Sequence, residues 1–231
     1  MFYLIGGKDD DLKSNLIETE LLKLTNKYCP KMLYFATAMK DNQRSINHFI
    51  STFDKLNVKI TIAKLNEISF EELNNLFNES DIIYIGGGNT DYLRNEFIKY
   101  NVDKLLMKYH NTDKIFAGIS AGAILYTNSG MGDSYSYQSG GNIYNFKMVD
   151  GLNLINLKFC PHYQKDDLYI FNDIGLSSKL ALALEDDTAV VIDKNILKVY
   201  KANKKHSVYL FKDNKMTPIY PNITYSIWNI S

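Results

Sequence analysis

The chain has 231 residues, of which 45% are hydrophobic and 13% aromatic, enough for the core of one large α/β domain. Lysine plus arginine equals aspartate plus glutamate at 26 each, and no basic run with interleaved aromatics occurs, which argues against nucleic acid as a partner. No stretch reaches the roughly 20 apolar residues of a membrane span, the two cysteines, Cys29 and Cys160, form no metal-binding or disulfide pattern, and the short apolar start lacks a secretory leader's features. A cytoplasmic protein is the expectation, with no metal or cofactor and with a homodimer as the assembly kept open.

In chain order, Phe2 to Ile5 reads as a buried strand ending in Gly6-Gly7. Lys13 to Tyr28 has a helical apolar face in Leu16, Ile17, Leu21 and Leu24, stopped by Pro30. Met32 to Ala36 is a strand with a small-residue exit at Thr37-Ala38, and Asp41 to Leu56 a helix with Ile46, Phe49, Ile50 and Phe53 inward. Val58 to Ala63 is β-branched and strand-like. Ser69 and Glu72 form a capping box that opens a helix to about Asn78. Asp81 to Ile85 is a strand running into Gly86-Gly87-Gly88-Asn89-Thr90 and a helix through Tyr92, Leu93 and Phe97. Val102 to His110 is helical, and Lys114 to Ile119 feeds Ser120. Alternation of this kind predicts a mostly parallel sheet with helices on both faces, and a site at the strands' carboxyl ends.

The second half is more β-rich. Asn128 to Gly141 reads as loop, Leu157 to Cys160 as a strand and Asp166 to Leu180 as helix. Leu180 to Leu184, Ala189 to Asp193, Ile196 to Tyr200 and Ser207 to Phe211 read as strands, with a hairpin at Asp193-Lys194-Asn195. No repeat or linker divides the chain, so one domain over residues 1–231 is expected.

Gly118-Ile119-Ser120-Ala121-Gly122 has the G-x-S-x-G pattern of a nucleophile elbow at a strand-to-helix junction. A serine on such a bend needs small neighbours, and the first helical amides after it can hold an oxyanion. The hydroxyl also needs a base. Of four histidines, His48 lies within a helix, His110 ends one, and His206 sits in a polar turn; His162 leaves a strand end on the stiff backbone of Pro161. It has the placement a general base needs. A third group would hold the imidazole's tautomer, and either Asp133 or the Glu185-Asp186-Asp187 run offers one. The triple glycine matches neither a P-loop nor a clean G-x-G-x-x-G, so amides of Gly87 or Gly88 acting beside Ala121 are the better reading.

Ile82 to Thr90, Gly118 to Ala123 and Pro161-His162-Tyr163, in this order, resemble the peptidase E and cyanophycinase family of serine peptidases, in its small bacterial peptidase E-like branch. The resemblance implies a class I glutamine amidotransferase-like, flavodoxin-like three-layer fold. It also implies Ser120 as nucleophile, His162 as base, and hydrolysis of small peptides. By the same resemblance Asp133 matches the peptidase E aspartate and is the favoured third member, with Glu185 or Asp186 matching the cyanophycinase glutamate as the alternative. Gly87, Gly88, Asn89 and Ala121 are the expected substrate and oxyanion contacts. Cleavage after an N-terminal aspartate would call for a basic partner, and neither Arg44 nor Arg94 sits in a motif that provides one. A non-hydrolytic small-molecule or peptide-binding protein on the same scaffold is the alternative function.

Overall fold

A computed structural model describes residues 1–9, 14–134, 146–163 and 169–227. The first half alternates as the sequence implies: β1 (Phe2–Ile5), α1 (Leu16–Lys23), β2 (Lys31–Phe35), α2 (Gln43–Phe53), β3 (Lys59–Ile62), α3 (Phe70–Glu79), β4 (Ile82–Ile85), α4 (Thr90–Lys99), α5 (Val102–Tyr109), β5 (Ile115–Ile119) and α6 (Ala121–Tyr126). A 3-10 turn at Thr37–Met39 follows β2. The second half holds β6 (Thr127–Gly132), β7 (Lys147–Asp150), β8 (Ile155–Cys160), α7 (Tyr169–Leu176), β9 (Leu180–Leu184), β10 (Thr188–Asp193), β11 (Ile196–Lys201), β12 (Val208–Lys212), β13 (Lys215–Ile219) and β14 (Thr224–Ser226).

The main sheet has the order β14-β11-β10-β1-β5-β4-β2-β3. Its pairings are parallel from β1 through β3 and antiparallel from β1 outward to β14. Strand residues alternate between two cores, as the period of two requires. Leu4, Leu33, Ile83 and Phe116 face α3, α4, α5 and α6, whereas Tyr3, Tyr34, Tyr84 and Ala117 face α1 and α2. Helices therefore cover both faces of a mixed α/β sheet, and the near-continuous apolar strands follow from burial on both sides.

A second sheet, β13-β12-β9-β8-β6-β7, shares the larger core through Leu157, Phe159, Leu182 and Leu210 and turns its other face to Phe171 of α7. The predicted C-terminal strands divide between the sheets: β9 and β12 join the second, β10 and β11 the first. The hairpin at Asp193 to Asn195 forms, with Lys194 in the left-handed region.

Three readings are corrected. Ile50, expected inward on α2, is exposed, because Ile46, Phe49 and Phe53 already fill the buried face. The segment from Asn128 is not all loop, because β6 pairs with both β7 and β8. Its Gly130 is required by packing, since a Cβ there would lie 2.6 Å from the Phe159 carbonyl oxygen. The first helix ends near Leu24, where Asn26 takes a left-handed conformation, and not at Pro30. The predicted starts of that helix and of the helix at Asp166 fall outside the described residues, as does the loop reading over 135–141.

Candidate active site

The site forms where β1, β4 and β5 end. Ser120 follows β5 with φ 52° and ψ −116°, a conformation that costs a non-glycine residue about 1–3 kcal/mol. The surroundings hold it there. Its amide donates to Ile5 O at 3.1 Å, and its carbonyl accepts from the amides of Ala123 and Ile124 at 3.0 Å each. Three such bonds, at about 1 kcal/mol apiece, are enough to offset the strain. The two flanking glycines are needed because the α6 backbone lies against the strands. A Cβ on Gly118 would sit 2.5 Å from Gly122 O, and one on Gly122 would overlap the Ile85 carbonyl.

His162 leaves β8, also with a positive φ of 50°, and its amide donates to Gly6 O at 3.2 Å. The imidazole Nε2 lies 3.0 Å from Ser120 Oγ, and Nδ1 lies 2.6 Å from Asp186 Oδ1. A carboxylate only accepts, so Nδ1 carries the proton and Nε2 is left to accept from the serine hydroxyl. A hydroxyl, an imidazole and a carboxylate thus form one hydrogen-bonded line.

The acid against the imidazole is Asp186, not Asp133. Asp186 sits in the turn between β9 and β10, beside the end of β1, where it reaches Nδ1. Asp133 follows β6 on the wall of the same cleft, half-buried, with neither imidazole nitrogen left for it to meet. Glu185 points elsewhere: its Oε2 accepts from Ser207 N at 3.0 Å.

Gly87 lies over the serine, and a Cβ on it would come within 3.3 Å of Ser120 Cβ. Gly88 has φ 135°, open only to glycine. The amides on either side of this pair bond the chain itself, Gly86 N to Phe35 O and Asn89 N to Ala38 O. Asn89 caps α4: its Oδ1 accepts from Tyr92 N at 2.9 Å and its Nδ2 donates to Ser134 O at 3.4 Å. Its side chain is thereby engaged in the fold. Ala121 is buried as the first residue of α6, so its amide is the group it can offer.

A cleft of about 830 Å³ opens on Ser120 and His162. Its floor includes Tyr34 stacked flat on Phe49 with centroids 3.5 Å apart, and burial raises the Tyr34 phenol above its ordinary value, keeping it a hydroxyl. Lys8 and Arg44 also line it. Lys8 donates to the buried Glu18 at 2.9 Å. Arg44 projects from α2 with His48, one turn later, on the same wall. The i, i+4 spacing of Arg44 and His48 is the sequence signal that would have found this face. Arg94 has a structural place, donating to Gly151 O at 3.2 Å. Among the described residues no cluster of three or more metal-ligating side chains gathers, and no helix is long and apolar enough to cross a membrane.

Residues 2–200 match the sequence pattern of peptidase family S51. The chain is 29% identical over 158 residues to the uncharacterized peptidase YgaJ of Bacillus subtilis, covering 68% of this chain and 65% of that one. It is 32% identical over 95 residues to the uncharacterized peptidase Lmo0363 of Listeria monocytogenes, covering 41% and 46%. The chain therefore spans just under two thirds of the first relative's length and about half of the second's. Among solved structures it is similar to a peptidase from an acI-B1 actinobacterium, with a TM-score of 0.73, 18% identity and coverage of 97% and 96%. It is also similar to a putative peptidase E protein from Listeria monocytogenes, with a TM-score of 0.66, 18% identity and coverage of 87% and 98%. These likenesses share the class I glutamine amidotransferase-like fold.

Proposed function

Because the chain belongs to peptidase family S51, we propose that it is a serine exopeptidase that cleaves small peptides through an acyl-enzyme. The observation that carries this reading is the line from Ser120 Oγ through His162 to Asp186. Ser120 Oγ attacks the scissile carbonyl while His162 Nε2 takes its proton. Asp186 keeps Nδ1 protonated and stabilises the imidazolium. The tetrahedral oxyanion is held by the amides of Ala121 and of Gly87 or Gly88. The imidazolium then protonates the departing amine, and water, deprotonated by the same nitrogen, releases the acyl group from the serine.

The charged groups of the cleft support a small zwitterionic substrate. Asp186 is engaged with His162 and Lys8 with Glu18. Arg44 on one wall and Asp133 on another remain to meet ligand charges. Asp133 receives the substrate's terminal ammonium, and Arg44 receives an acidic group, the side chain of an N-terminal aspartate being the first to test. The non-hydrolytic alternative rests on a missing specificity arginine and on a third acid that the sequence leaves undecided. Arg44 in the cleft and Asp186 at the imidazole favour hydrolysis instead.

A dipeptide panel with Asp, Asn, Glu and Ala at the first position tests the reading, with the Ser120→Ala protein as blank. Turnover that needs Ser120 and prefers an acidic first residue is expected. No turnover of any dipeptide, or turnover equal in the blank, would refute it.

A further inference from the structure

A second histidine stands behind the first. His206 lies in the connection between β11 and β12, and its Nδ1 is 2.6 Å from the main-chain carbonyl oxygen of Asp186. Its Nε2 is 3.3 Å from Asn203 Nδ2. Asn203 Oδ1 accepts from Lys205 N at 3.0 Å, which fixes the end of the amide that faces the ring. A carbonyl only accepts and an amide nitrogen only donates, so both contacts select one neutral tautomer, with the proton on Nδ1. Asp186 is thus gripped twice: its carboxylate by His162, its carbonyl by His206.

The turn that carries Asp186 needs such a grip. Asp187, the next residue, has φ 56°, outside the regions a β-carbon tolerates easily. It is 4% exposed and held by its amide, its carbonyl and one carboxylate oxygen. Its amide donates to Gly7 O at 3.0 Å, its carbonyl accepts from Ala202 N at 2.8 Å, and its Oδ1 accepts from Asp9 N at 3.1 Å. Its Oδ2 is buried without a hydrogen bond, 3.7 Å from His206 Nδ1. Burial raises the Asp187 carboxyl above its ordinary value. A strained turn persists only where the surroundings over-determine it, and His206 supplies the bond nearest to the acid.

We propose that His206 is a positioning residue for the hydrolytic site, holding the Asp186 main chain so that its carboxylate stays in register with His162. The inference rests on the serine-peptidase reading for its consequence in rate, but its geometry can be read in the resting protein. A misplacement of order 1 Å costs about 100-fold in rate.

The experiment compares wild type with His206→Leu and His206→Asn, the second because an asparagine Nδ2 stands close to where the imidazole Nδ1 lies. Three quantities are followed: the rate at which a fluorophosphonate probe modifies Ser120, the downfield proton resonance of His162 Nδ1–H in the free protein, and the melting temperature. His206→Leu should lose about 10- to 100-fold in modification rate, with the resonance shifted or lost, and His206→Asn should recover most of that rate. Asn203→Ala, further along the same chain of bonds and milder, should move rate and resonance in the same direction. A His206→Leu protein with wild-type rate and resonance would overturn the proposal. So would equal losses in the Leu and Asn proteins that merely track melting temperature. If wild type is inert to the probe, the peptidase reading fails, and the resonance alone decides: sensitivity to His206→Leu upholds the positioning, and insensitivity overturns it.

Discussion

Gly7 lies directly beneath Asp186: a methyl group on its Cα would overlap Asp186 Oδ1, and it would crowd the His162 ring as well. The glycine at the exit of β1 is therefore part of the seat on which the imidazole and carboxylate meet, and Gly7 O also accepts from Asp187 N. Gly7→Ala should separate the pair while leaving the core intact. The expected cost is about 1–3 kcal/mol of stability, as for overpacking elsewhere, with a loss of peptidase rate much larger than that stability change implies. Melting curves and dipeptide turnover on the same preparation check it. Wild-type turnover would show that the pair tolerates the methyl group.

Two aspartates compete for the third position, and substitution separates them. Asp186→Asn should lower kcat by about 10⁴-fold, because the carboxamide no longer enforces the Nδ1–H tautomer of His162. Asp133→Asn should act mainly on KM for peptides with a free amino terminus. The comparison needs steady-state kinetics on free and N-acetylated dipeptides. The reverse pattern would return the acid's role to Asp133.

Arg44 is tested through substrate charge. Arg44→Ala should raise KM for peptides with an acidic first residue by about tenfold or more, the worth of a charge-assisted hydrogen bond, and should leave neutral peptides much less affected. Arg44→Lys should recover only part, since an ammonium lacks the planar fork. Equal losses for acidic and neutral peptides would remove Arg44 from the acidic subsite.

Acid should weaken the fold at the opposite end of the sheet. Asp81 accepts from Lys27 Nζ at 2.6 Å and from Lys31 N at 2.9 Å. Burial is the largest single influence on its carboxyl and pushes it up, but the Lys27 and Lys31 contacts together hold it below its ordinary value of 3.8. A lowered carboxyl adds stability that is complete above the unfolded value and is lost as pH falls through the lower folded one. Because Lys27 is largely exposed, Asp81→Asn should cost about 0.5–1 kcal/mol at neutral pH. The difference should vanish in strong acid. Melting temperatures of both proteins across that range decide it.

The parallel half of the fold was legible because strands buried on both faces leave continuous apolar runs, such as Ile82 to Ile85, bounded by glycines and helix caps. β6 was not, since Thr127 to Gly132 has weak strand propensity and is held by its pairing with β7 and β8. Ser120 and His162, which the fold brings within hydrogen-bond distance, could be singled out because each sits at a strand end with a distinctive local pattern. The carboxylate that meets the imidazole could not be picked, because Asp133 and Asp186 both follow strands, and the packing of the β9–β10 turn beside Gly7 is what brings Asp186 to Nδ1. Arg44 carried no motif, and its relevance comes from the helix face it shares with His48.

If His162 and Asp186 make Ser120 nucleophilic, Ser120 should react selectively with an electrophile that modifies activated serines. Intact-protein mass spectrometry after brief exposure to a fluorophosphonate probe, followed by peptide mapping, reads this reactivity. One adduct on Ser120, absent from Ser120→Ala and strongly slowed in His162→Ala and Asp186→Asn, is the predicted result. A folded wild-type protein that gains no adduct, or gains one at another residue that persists in Ser120→Ala, would contradict it.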